Sequence, residues 1–501
     1  MYRLLRRLRV IISLLFFLVI FFCFVNVYHF AGSWWSLPLA WQLIPAILAG
    51  SVAVIVVLLL LTLLFGRIYC STLCPLGTYQ DIVRRVAGIF KSKKTRWMNY
   101  SKPHNMVRYL ILFVSVAVAI LGSSALLLWL DPYSNFGRMA ANLFGPAVIF
   151  SGNELSSVLS GIPAHGYHTF TTSAIIAALV FFIIITVFSA LRGRLYCNLI
   201  CPVGSFLGLI AKYSLFKLQL DSGHCTRCSL CSKHCKAQCI DVESQEIDHS
   251  RCVQCYNCAI SCKLNGISYK FRYKGKQPKQ AVKPNAGRRF FLGTLGGIAA
   301  AGAAGSLLPP LRNASVNEKA LCPPGSQGVA HLKTHCTACH ACIANCPSHV
   351  LRPAIGEYGI DGFTMPVLDF NRSYCNYECT RCSEICPNGA IHAISREEKA
   401  VIQIGKAKFL PKRCVVVCHE TDCGACDEHC PTNAITMINF RNGLKLPKVN
   451  RDLCIGCGAC EYICPARPEK AIFVVANPVH EIAALRQAEK KEEIKVEGFG
   501  F

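Results

Sequence analysis

The sequence predicts a multidomain protein: an α-helical membrane bundle, with four spans plus a fifth tethering helix, that carries cysteine-rich α+β domains. Three observations predict this architecture. Long apolar runs dominate the first 210 or so residues, the remainder is polar, and most of the thirty-two cysteines recur two or three positions apart. At 501 residues the chain is long enough for about three domains.

Four nearly uncharged stretches are each long enough to cross a bilayer. They lie at about 10–30, 42–65, 109–130 and 170–191. Buried helices of soluble proteins rarely stay apolar on every face for so long. A cleaved signal peptide is a poor alternative for the first stretch, because a second apolar stretch follows without a convincing cleavage site.

The distribution of basic residues predicts which side each loop occupies. The N-terminus, MYRLLRRLR, carries four arginines and no acid, so we expect it in the cytoplasm. Tyr28, Trp34 and Trp35 then reach the outer interface, where amphipathic aromatic side chains are favoured. Basic residues after the second and fourth spans return both hairpins to the cytoplasm: Arg67, the stretch 91–96, Arg192 and Arg194.

A fifth, weaker span is expected at 290–308, which is uncharged but rich in Gly and Ala. Arg288 and Arg289, followed by Phe-Phe-Leu, resemble a twin-arginine export signal, although Gly293 stands where a lysine is common. Such signals carry folded proteins across the membrane, so we expect everything after this span to be exported. The alternative is a flexible Gly/Ala linker with a chance arginine pair.

One motif occurs twice, as GRIYCSTLCPLG at 66–77 and GRLYCNLICPVG at 193–204. Each copy contains Cys-x3-Cys-Pro, and residues four apart share one face of a helix. Three interpretations of the thiols stay open. They form one further metal centre, they are redox thiols beside a quinone pocket, or they serve tight helix packing. The cysteines are Cys70, Cys74, Cys197 and Cys201.

The next cysteines have the spacing of a two-cluster bacterial ferredoxin, in which the fourth cysteine of each motif binds the other cluster. Zinc sites favour pairs separated by long gaps, and cysteines this close rarely form disulfides. Lysine follows each motif where proline is usual, which predicts slightly raised potentials. One [4Fe–4S] cluster is expected on Cys225, Cys228, Cys231 and Cys262, the other on Cys235, Cys252, Cys255 and Cys258, with the lysines at Lys236 and Lys263.

Four more motifs follow the fifth span, and each is expected to provide one cluster. They are Cys336, Cys339, Cys342 and Cys346; Cys375, Cys379, Cys382 and Cys386; Cys414 or Cys418, with Cys414 favoured, and Cys423, Cys426 and Cys430; and Cys454, Cys457, Cys460 and Cys464. We expect cross-donation between the first and fourth motifs and between the second and third. The remaining cysteines are expected not to be ligands: Cys23, Cys239 and Cys322.

The formal charge of +25 raises nucleic acid as a partner. Six clusters with their thiolates would remove about 12 charges, however, and much of the rest flanks the spans. Nucleic-acid binding is therefore not expected. The resulting organisation is a membrane domain at 1–215, a cytoplasmic two-cluster domain at 216–275, the export segment at 276–310, an extracytoplasmic four-cluster domain at 311–480, and a charged helix and tail at 481–501.

The two Cys-x3-Cys-Pro motifs and the following ferredoxin pair, residues 1 to about 275, resemble NapH-type membrane quinol dehydrogenase subunits of periplasmic nitrate reductase systems. The RRFFLG segment, the CPPGS at 322–326 and the last four motifs resemble NapG-type four-cluster partners. The resemblance implies a bacterial inner-membrane protein that oxidises quinol from the quinone pool and passes electrons to an extracytoplasmic reductase. Candidates for proton handling are Asp131, Glu154, His165 and His168.

Two other functions stay open. A cytoplasmic ferredoxin or flavoprotein would feed electrons into the Cys225–Cys262 domain, or the chain would be an assembly factor for a respiratory metalloenzyme. No Rossmann-type glycine loop or Cys-x-x-Cys-His haem motif occurs, and no nucleophile–base pairing stands out. The substrate-converting site is therefore expected on another subunit.

Overall fold

The computed structural model of the chain describes residues 1–25, 37–92, 97–120, 123–158, 172–271 and 320–484. Several residues that carry sequence-based expectations lie outside these ranges: Tyr28, Trp34, Trp35, His165, His168, Arg288, Arg289, most of the stretch 91–96, the fifth span at 290–308 and most of the tail. Those expectations remain predictions.

The N-terminal part of the described chain, up to residue 211, is helical. In chain order the α-helices are α1 (Tyr2–Val25), α2 (Leu37–Ala40), α3 (Leu43–Leu48), α4 (Val52–Phe65), α5 (Tyr69–Thr72), α6 (Pro75–Phe90), α7 (Asn105–Ile120), α8 (Ala125–Leu130), α9 (Pro132–Met139), α10 (Gly145–Val158), α11 (Thr172–Arg192), α12 (Leu195–Leu199) and α13 (Pro202–Ala211). A π-helical segment, Ala140–Phe144, joins α9 to α10.

The expected four continuous spans are not met within the described residues, where only α1 and α11 are long and apolar enough to cross a membrane. The second expected span is divided into α3 and α4, because the chain turns at Gly50, whose φ is +65°. The third is divided into α7 and α8. Helices α4 and α7, with 14 and 16 residues, reach about 21 and 24 Å, less than the ~30 Å of a bilayer core.

The repeated motif folds the same way twice. Helices α4 and α11 are each followed by a glycine with positive φ, Gly66 at +76° and Gly193 at +64°. Such a residue ends a helix readily because glycine has no Cβ to clash. A short helix then carries the first cysteine of each pair. Pro75 and Pro202 follow the second cysteine and begin α6 and α13, because proline is pre-shaped for a first helical turn.

Residues 216–271 form a small α+β unit. It contains β1 (Phe216–Leu220), α14 (Leu230–Lys233), β2 (Ile240–Asp241), β3 (Glu246–Ile247), α15 (Asn257–Ser261) and β4 (Ile267–Phe271). The first and last strands pair antiparallel, with Phe216 opposite Phe271. This pairing closes the unit by bringing its two ends together.

Residues 320–484 form a second α+β unit. Its elements are α16 (Val329–His335), α17 (Ala341–Ala344), β5 (Leu351–Pro353), β6 (Pro366–Leu368), α18 (Arg381–Glu384), α19 (Arg396–Val401), β7 (Ile402–Phe409), α20 (Val415–Cys418), α21 (Ala425–Glu428), β8 (Ile435–Asn439), β9 (Lys445–Val449), α22 (Ala459–Ile463) and β10 (Ile472–Ile482). Antiparallel pairs join β5 to β6, β7 to β10 and β8 to β9. Strand β10 passes the expected boundary at 480, so the segment expected to be a charged helix begins as a strand.

The two α+β units contact opposite ends of α1. At its start, the backbone N–H of Tyr269 donates to the Tyr2 hydroxyl oxygen at 2.9 Å. Near its end, Asn345 Nδ2 donates to the carbonyl oxygen of Cys23 at 3.0 Å. Tyr2 and Cys23 are about 32 Å apart along the helix axis, at about 1.5 Å per residue. The places where the two cysteine-rich units contact α1 are therefore separated by most of the length of that helix.

Candidate metal centres

Four of the cysteine motifs share one backbone turn around their second cysteine. The residues immediately before and after that cysteine have φ between 51° and 80°. Residues with a left-handed backbone conformation on both sides of the cysteine turn the chain twice within a few positions, so that the thiols of one motif can point toward a common centre. These residues are Arg227 and Ser229, Gln254 and Tyr256, Ala338 and His340, and Gly456 and Gly458.

In the 216–271 unit the thiols form two groups of four. The side chain of Cys231 is close enough to Cys225, Cys228 and Cys262 to interact with their charge. The side chain of Cys258 is similarly close to Cys235, Cys252 and Cys255. These are the two sets that the ferredoxin spacing predicts, including the exchange of the fourth cysteine.

In the 320–484 unit the thiols form four groups, but the expected pairing of motifs is wrong. The first motif exchanges its fourth cysteine with the second motif, and the third exchanges with the fourth. A β-hairpin lies between the two motifs of each exchanging pair, β5–β6 in the first pair and β8–β9 in the second, whereas β7, between the second and third motifs, pairs with β10 instead. The groups are Cys336, Cys339, Cys342 and Cys386; Cys346, Cys375, Cys379 and Cys382; Cys414, Cys423, Cys426 and Cys464; and Cys430, Cys454, Cys457 and Cys460.

The structure separates Cys414 from Cys418. The Cys414 side chain is buried and interacts with Cys423 and Cys464. The Cys418 side chain is exposed, and its Sγ donates to the carbonyl oxygen of Lys412 at 3.0 Å. Only Cys414 is thus placed within a group of four.

The three cysteines expected to be outside the ligand sets have different surroundings. Cys23 is buried in α1. The thiol of Cys322 lies 3.1 Å from His480 Nε2. Cys239 is different, because its Sγ lies 3.5 Å from that of Cys235 and its side chain also contacts Cys252. Sequence reasoning missed this fifth thiol because Cys239 falls outside the regular spacing.

The groups of four fit iron–sulfur clusters. Four thiolates around a cubane is the ligand set of a [4Fe–4S] cluster, and each group supplies four thiols. Backbone N–H groups donate to several sulfurs, as Gly266 N does to Cys262 and Ala434 N to Cys430, both at 3.2 Å. Hydrogen bonds of this kind stabilise the charge of a cluster–thiolate centre.

Burial also affects the ionisation of these thiols. It raises the pKa of Cys231 and of Cys375 to about 11, and the pKa of Cys457 to about 12. Before a cluster is bound, these thiols are therefore protonated at neutral pH. Cluster binding must release their protons, as metal binding to thiols generally does.

The repeated Cys-x3-Cys-Pro motifs bring four further thiols together. The Cys201 side chain interacts with Cys70, Cys74 and Cys197, and the Cys74 side chain interacts with Cys70 and Cys197. All four side chains are buried, with at most 4% of their surface exposed. We call these four residues the central quartet.

Two arginines cross between the copies of the repeat. Arg67 Nη2 donates to the carbonyl oxygen of Cys197 at 3.1 Å, and Arg194 Nη1 donates to the carbonyl oxygen of Cys70. A Cβ on Gly77 would lie 2.8 Å from Arg194 Nη1, and one on Gly204 the same distance from Arg67 Nη2. Gly77 and Gly204, the last residues of the two motifs, therefore leave space for the arginine of the other copy.

Three side chains or backbone groups donate to sulfurs of the central quartet. Gln80 Nε2 lies 3.1 Å from Cys197 Sγ, and the N–H of Gly204 lies 3.2 Å from Cys201 Sγ. Arg67 Nη2 lies 3.8 Å from Cys70 Sγ. These donors favour a negatively charged sulfur, as in a thiolate bound to metal.

The central quartet is held against the 216–271 unit by a carboxylate with three basic partners. Asp81 pairs with Arg194 and Lys236 at 2.9 Å each, and with Arg9 at 3.5 Å. Lys236 was expected to raise the potential of a nearby cluster. Its ion pair with Asp81 partly cancels that effect, which sequence spacing could not reveal.

The group of thiols formed by Cys225, Cys228, Cys231 and Cys262 is open to solvent at Cys228. Cys228 is exposed, and a cavity of about 210 Å³ lies among these cysteines. The charged side chains that line the cavity are two cations, Arg227 and Lys263. This edge is accessible to another protein.

Two candidates for proton handling are described. Asp131 is buried and caps α9, where its carboxylate accepts from the N–H of Ser134 at 2.7 Å. Glu154 lies on α10 and is exposed. The Asp131 carboxylate therefore has a structural role that proton handling does not require.

Comparisons with known proteins agree with a cluster-binding function. Residues 47–96 and 174–220 match a family described as a 4Fe-4S binding domain, and residues 418–467 match a 4Fe-4S dicluster domain. The ferredoxin-type protein NapF of Escherichia coli K12 is 30% identical over 156 residues, which are 31% of this chain and 86% of that protein. The ferredoxin-type protein NapG of the same strain is 31% identical over 201 residues, 37% of this chain and 84% of that protein. No solved structure matches the chain.

Proposed function

The chain belongs to the family of ferredoxin-type proteins that includes NapF and NapG and is an iron–sulfur electron-transfer protein, and we propose that it oxidises quinol in a membrane and relays the electrons to an extracytoplasmic reductase. The cysteine groups of the 216–271 and 320–484 units would hold six [4Fe–4S] clusters, which supply one-electron transfer when bound. The N-terminal part would act as a NapH-type membrane subunit fused to a NapG-type partner.

The observation that carries this proposal is the position of the two cysteine-rich units. They contact opposite ends of α1, at Tyr2 and at Cys23. If α1 spans the membrane, one unit lies on each side of it. The basic N-terminus favours the cytoplasm for the 216–271 unit. This arrangement suits a protein that takes electrons at one place and delivers them across a bilayer.

The membrane itself is part of the proposal. Helices α1 and α11 are long and apolar enough to span it, and α4 and α7 are shorter apolar helices. Exposed large apolar side chains on α1 and α11, such as Leu15, Leu18 and Ile183, are suited to contact lipid. The twin-arginine-like segment supports an inner-membrane location with export of the 320–484 unit.

Anaerobic reduction by quinol tests the proposal. Purified full-length protein in detergent is mixed with menadiol or decylubiquinol, and the visible absorbance of the clusters is followed. We expect the visible absorbance of the clusters to decrease after quinol is added, at a rate compatible with turnover of a quinol dehydrogenase. Dithionite serves as the control that all clusters are reducible. Full bleaching by dithionite with none by either quinol would contradict quinol oxidation and leave cluster binding intact.

A second candidate function is electron exchange with a soluble carrier at the open site around Cys228. Its exposed thiol and the two cations at the cavity, Arg227 and Lys263, favour an acidic ferredoxin or flavoprotein. This function predicts rapid reduction by a reduced acidic ferredoxin at low salt. Replacing both cations by glutamate should slow that reaction at least tenfold without changing reduction by dithionite. An unchanged rate would exclude this docking surface.

A further inference from the structure

We propose that the central quartet, Cys70, Cys74, Cys197 and Cys201, holds a seventh [4Fe–4S] cluster that connects the two cysteine-rich units through the membrane part. The inference rests on the proposed function, because it supplies the path that a relay across α1 requires. Each half of the repeat has only two of the thiols, so neither half can hold a four-iron cluster alone. One cluster shared between the halves uses all four.

The surroundings of the quartet distinguish a cluster site from simple helix packing. Packing alone would need small apolar contacts, whereas polar donors point at the sulfurs of Cys197 and Cys201. A neutral buried thiol gains little from such donors, but a thiolate gains a charge-assisted hydrogen bond. The donors therefore fit sulfurs that carry negative charge.

The charge of Arg67 is a second, independent observation. Its side chain is fully buried, and its hydrogen-bond partners are the carbonyl oxygens of Cys197 and Ser250, Asn198 Oδ1 and Cys70 Sγ. None of these is a carboxylate. A buried cation is costly without a counter-charge nearby. A cluster with its four thiolates, carrying about −2, would supply that charge next to the guanidinium.

The quartet is also close to a cluster site of the 216–271 unit. Arg9 Nη1 donates to the carbonyl oxygen of Ser71, between the first two cysteines of the quartet, at 3.1 Å. The same guanidinium is close enough to Cys255 to interact with its charge. One arginine side chain therefore touches the quartet loop and approaches a predicted ligand of the neighbouring cluster.

On the opposite side, a short chain of contacts leads from the quartet to the 320–484 unit. The Tyr196 side chain interacts with Cys197 and Cys201, and its hydroxyl oxygen accepts from Asn135 Nδ2 at 3.1 Å. Arg138 Nη2 donates to Asn135 Oδ1 at 3.0 Å and lies close to the Cys339 thiol. The quartet is thus placed between the two units.

A carrier in this position would divide the distance between the two units into shorter electron-transfer steps. The two units are anchored about 32 Å apart along α1, and the rate of electron tunnelling falls steeply with distance. With a central cluster, one electron leaves the reduced cluster of one unit, reduces the central cluster by one charge, and passes to the oxidised cluster of the other unit. Each step oxidises one centre and reduces the next, so the electrons balance.

Iron and acid-labile sulfide counts on anaerobically purified full-length protein test the inference. The wild type should contain about 28 of each, for seven clusters, and the Cys74→Ser/Cys201→Ser variant about 24. Cys23→Ser is the matched control, because Cys23 is a buried thiol on α1 outside every group of four; it should keep the wild-type content. Electron paramagnetic resonance of the reduced variant should show the other six clusters unchanged.

A wild-type content of six clusters, an unchanged content in the double variant, or zinc in place of the missing iron would overturn the inference. If the double variant does not fold, the wild-type count still decides between six clusters and seven. Failure of the proposed function has a different signature. In that case the wild type contains seven clusters, but quinol does not reduce them.

Discussion

The guanidinium of Arg67 donates to the backbone carbonyl oxygen of Cys197, 130 positions away in the sequence, at 3.1 Å. Arg194 makes the reciprocal bond to the carbonyl oxygen of Cys70. In membrane proteins, basic residues beside apolar helices usually indicate which end faces the cytoplasm. Here both arginines are buried and tie the two copies of the repeat together, so they have a structural role in addition to any topological one.

Replacing Arg67 by glutamine should therefore affect the central quartet more than the rest of the protein. The change leaves buried carbonyl groups without a donor, which costs about 1–3 kcal/mol, and removes the charge beside Cys70. We expect loss of about four iron atoms and a lower unfolding temperature. Arg85→Gln, at an exposed position on α6, is the control and should change neither. A stable variant with full iron content would show that Arg67 does not support a cluster.

The pairing of motifs in the 320–484 unit can be tested by counting iron in double variants. Cys339→Ala and Cys386→Ala remove ligands of one group, so the double variant should lose about four iron atoms, as each single variant does. Cys379 belongs to another group, so combining Cys379→Ala with Cys386→Ala should cost about eight. A loss of eight in the first double variant would contradict the exchange between the first and second motifs.

Cys414 and Cys418 give a matched pair of substitutions four positions apart. Cys414→Ser should remove one cluster, because this buried thiol lies with Cys423 and Cys464. Cys418→Ser should leave the iron content unchanged, because this exposed thiol only donates to a carbonyl oxygen. Inductively coupled plasma measurements on both variants decide the ligand. The reverse result would assign the cluster to Cys418.

We expect Cys239 to influence the reduction potential of a cluster without being one of its ligands. Its thiol contacts Cys235 and Cys252, so Cys239→Ser should keep the iron content while shifting the reduction potential and resonance spectrum of that cluster. A redox titration followed by electron paramagnetic resonance measures both. Cys322→Ser, which lies beside His480, is the control and should leave this cluster unaffected. Loss of the cluster in Cys239→Ser would make Cys239 a ligand.

His480 predicts a pH dependence of stability in the 320–484 unit. Burial lowers its pKa to about 4, against about 6.5 in an unfolded chain. The folded form therefore favours neutral imidazole, and its contribution is complete above pH 6.5 and is lost as the pH falls toward 4. We expect about 1–2 kcal/mol less stability at pH 5 than at pH 7, and less of this loss in His480→Gln. Equal pH dependence in both proteins would contradict the assignment.

The sequence indicated how the thiols of the 216–271 unit are grouped, because the spacing of Cys225 to Cys262 itself determines which thiol exchanges; that these groups bind clusters stays a prediction. It could not predict the pairing around Cys346 and Cys386, since four motifs in a row allow several exchanges and only the folded chain selects one. The repeat suggested that Cys70 and Cys197 act together, but not that Arg67 and Arg194 cross between the copies.

Apolar composition overestimated the continuity of the helices. It correctly indicated α1 and α11, whereas the stretch 42–65 bends at Gly50, where a positive φ divides it into two helices. Hydropathy averages over a window and is insensitive to one such turn. The position of Cys239 beside Cys235 could not be predicted from the sequence either, because tertiary contacts rather than cysteine spacing bring that thiol to the site.

Side-selective reduction in sealed proteoliposomes tests whether electrons pass across the membrane from the 216–271 unit to the 320–484 unit. Protein is oriented with the 216–271 unit outward, and membrane-impermeant dithionite is added outside only. We expect electrons to reach the enclosed 320–484 unit, where they give electron paramagnetic resonance signals that disappear in the Cys339→Ala and Cys379→Ala variants. Reduction confined to the two clusters of the exposed unit, with full reduction after the vesicles are opened, would contradict an electron path across the membrane.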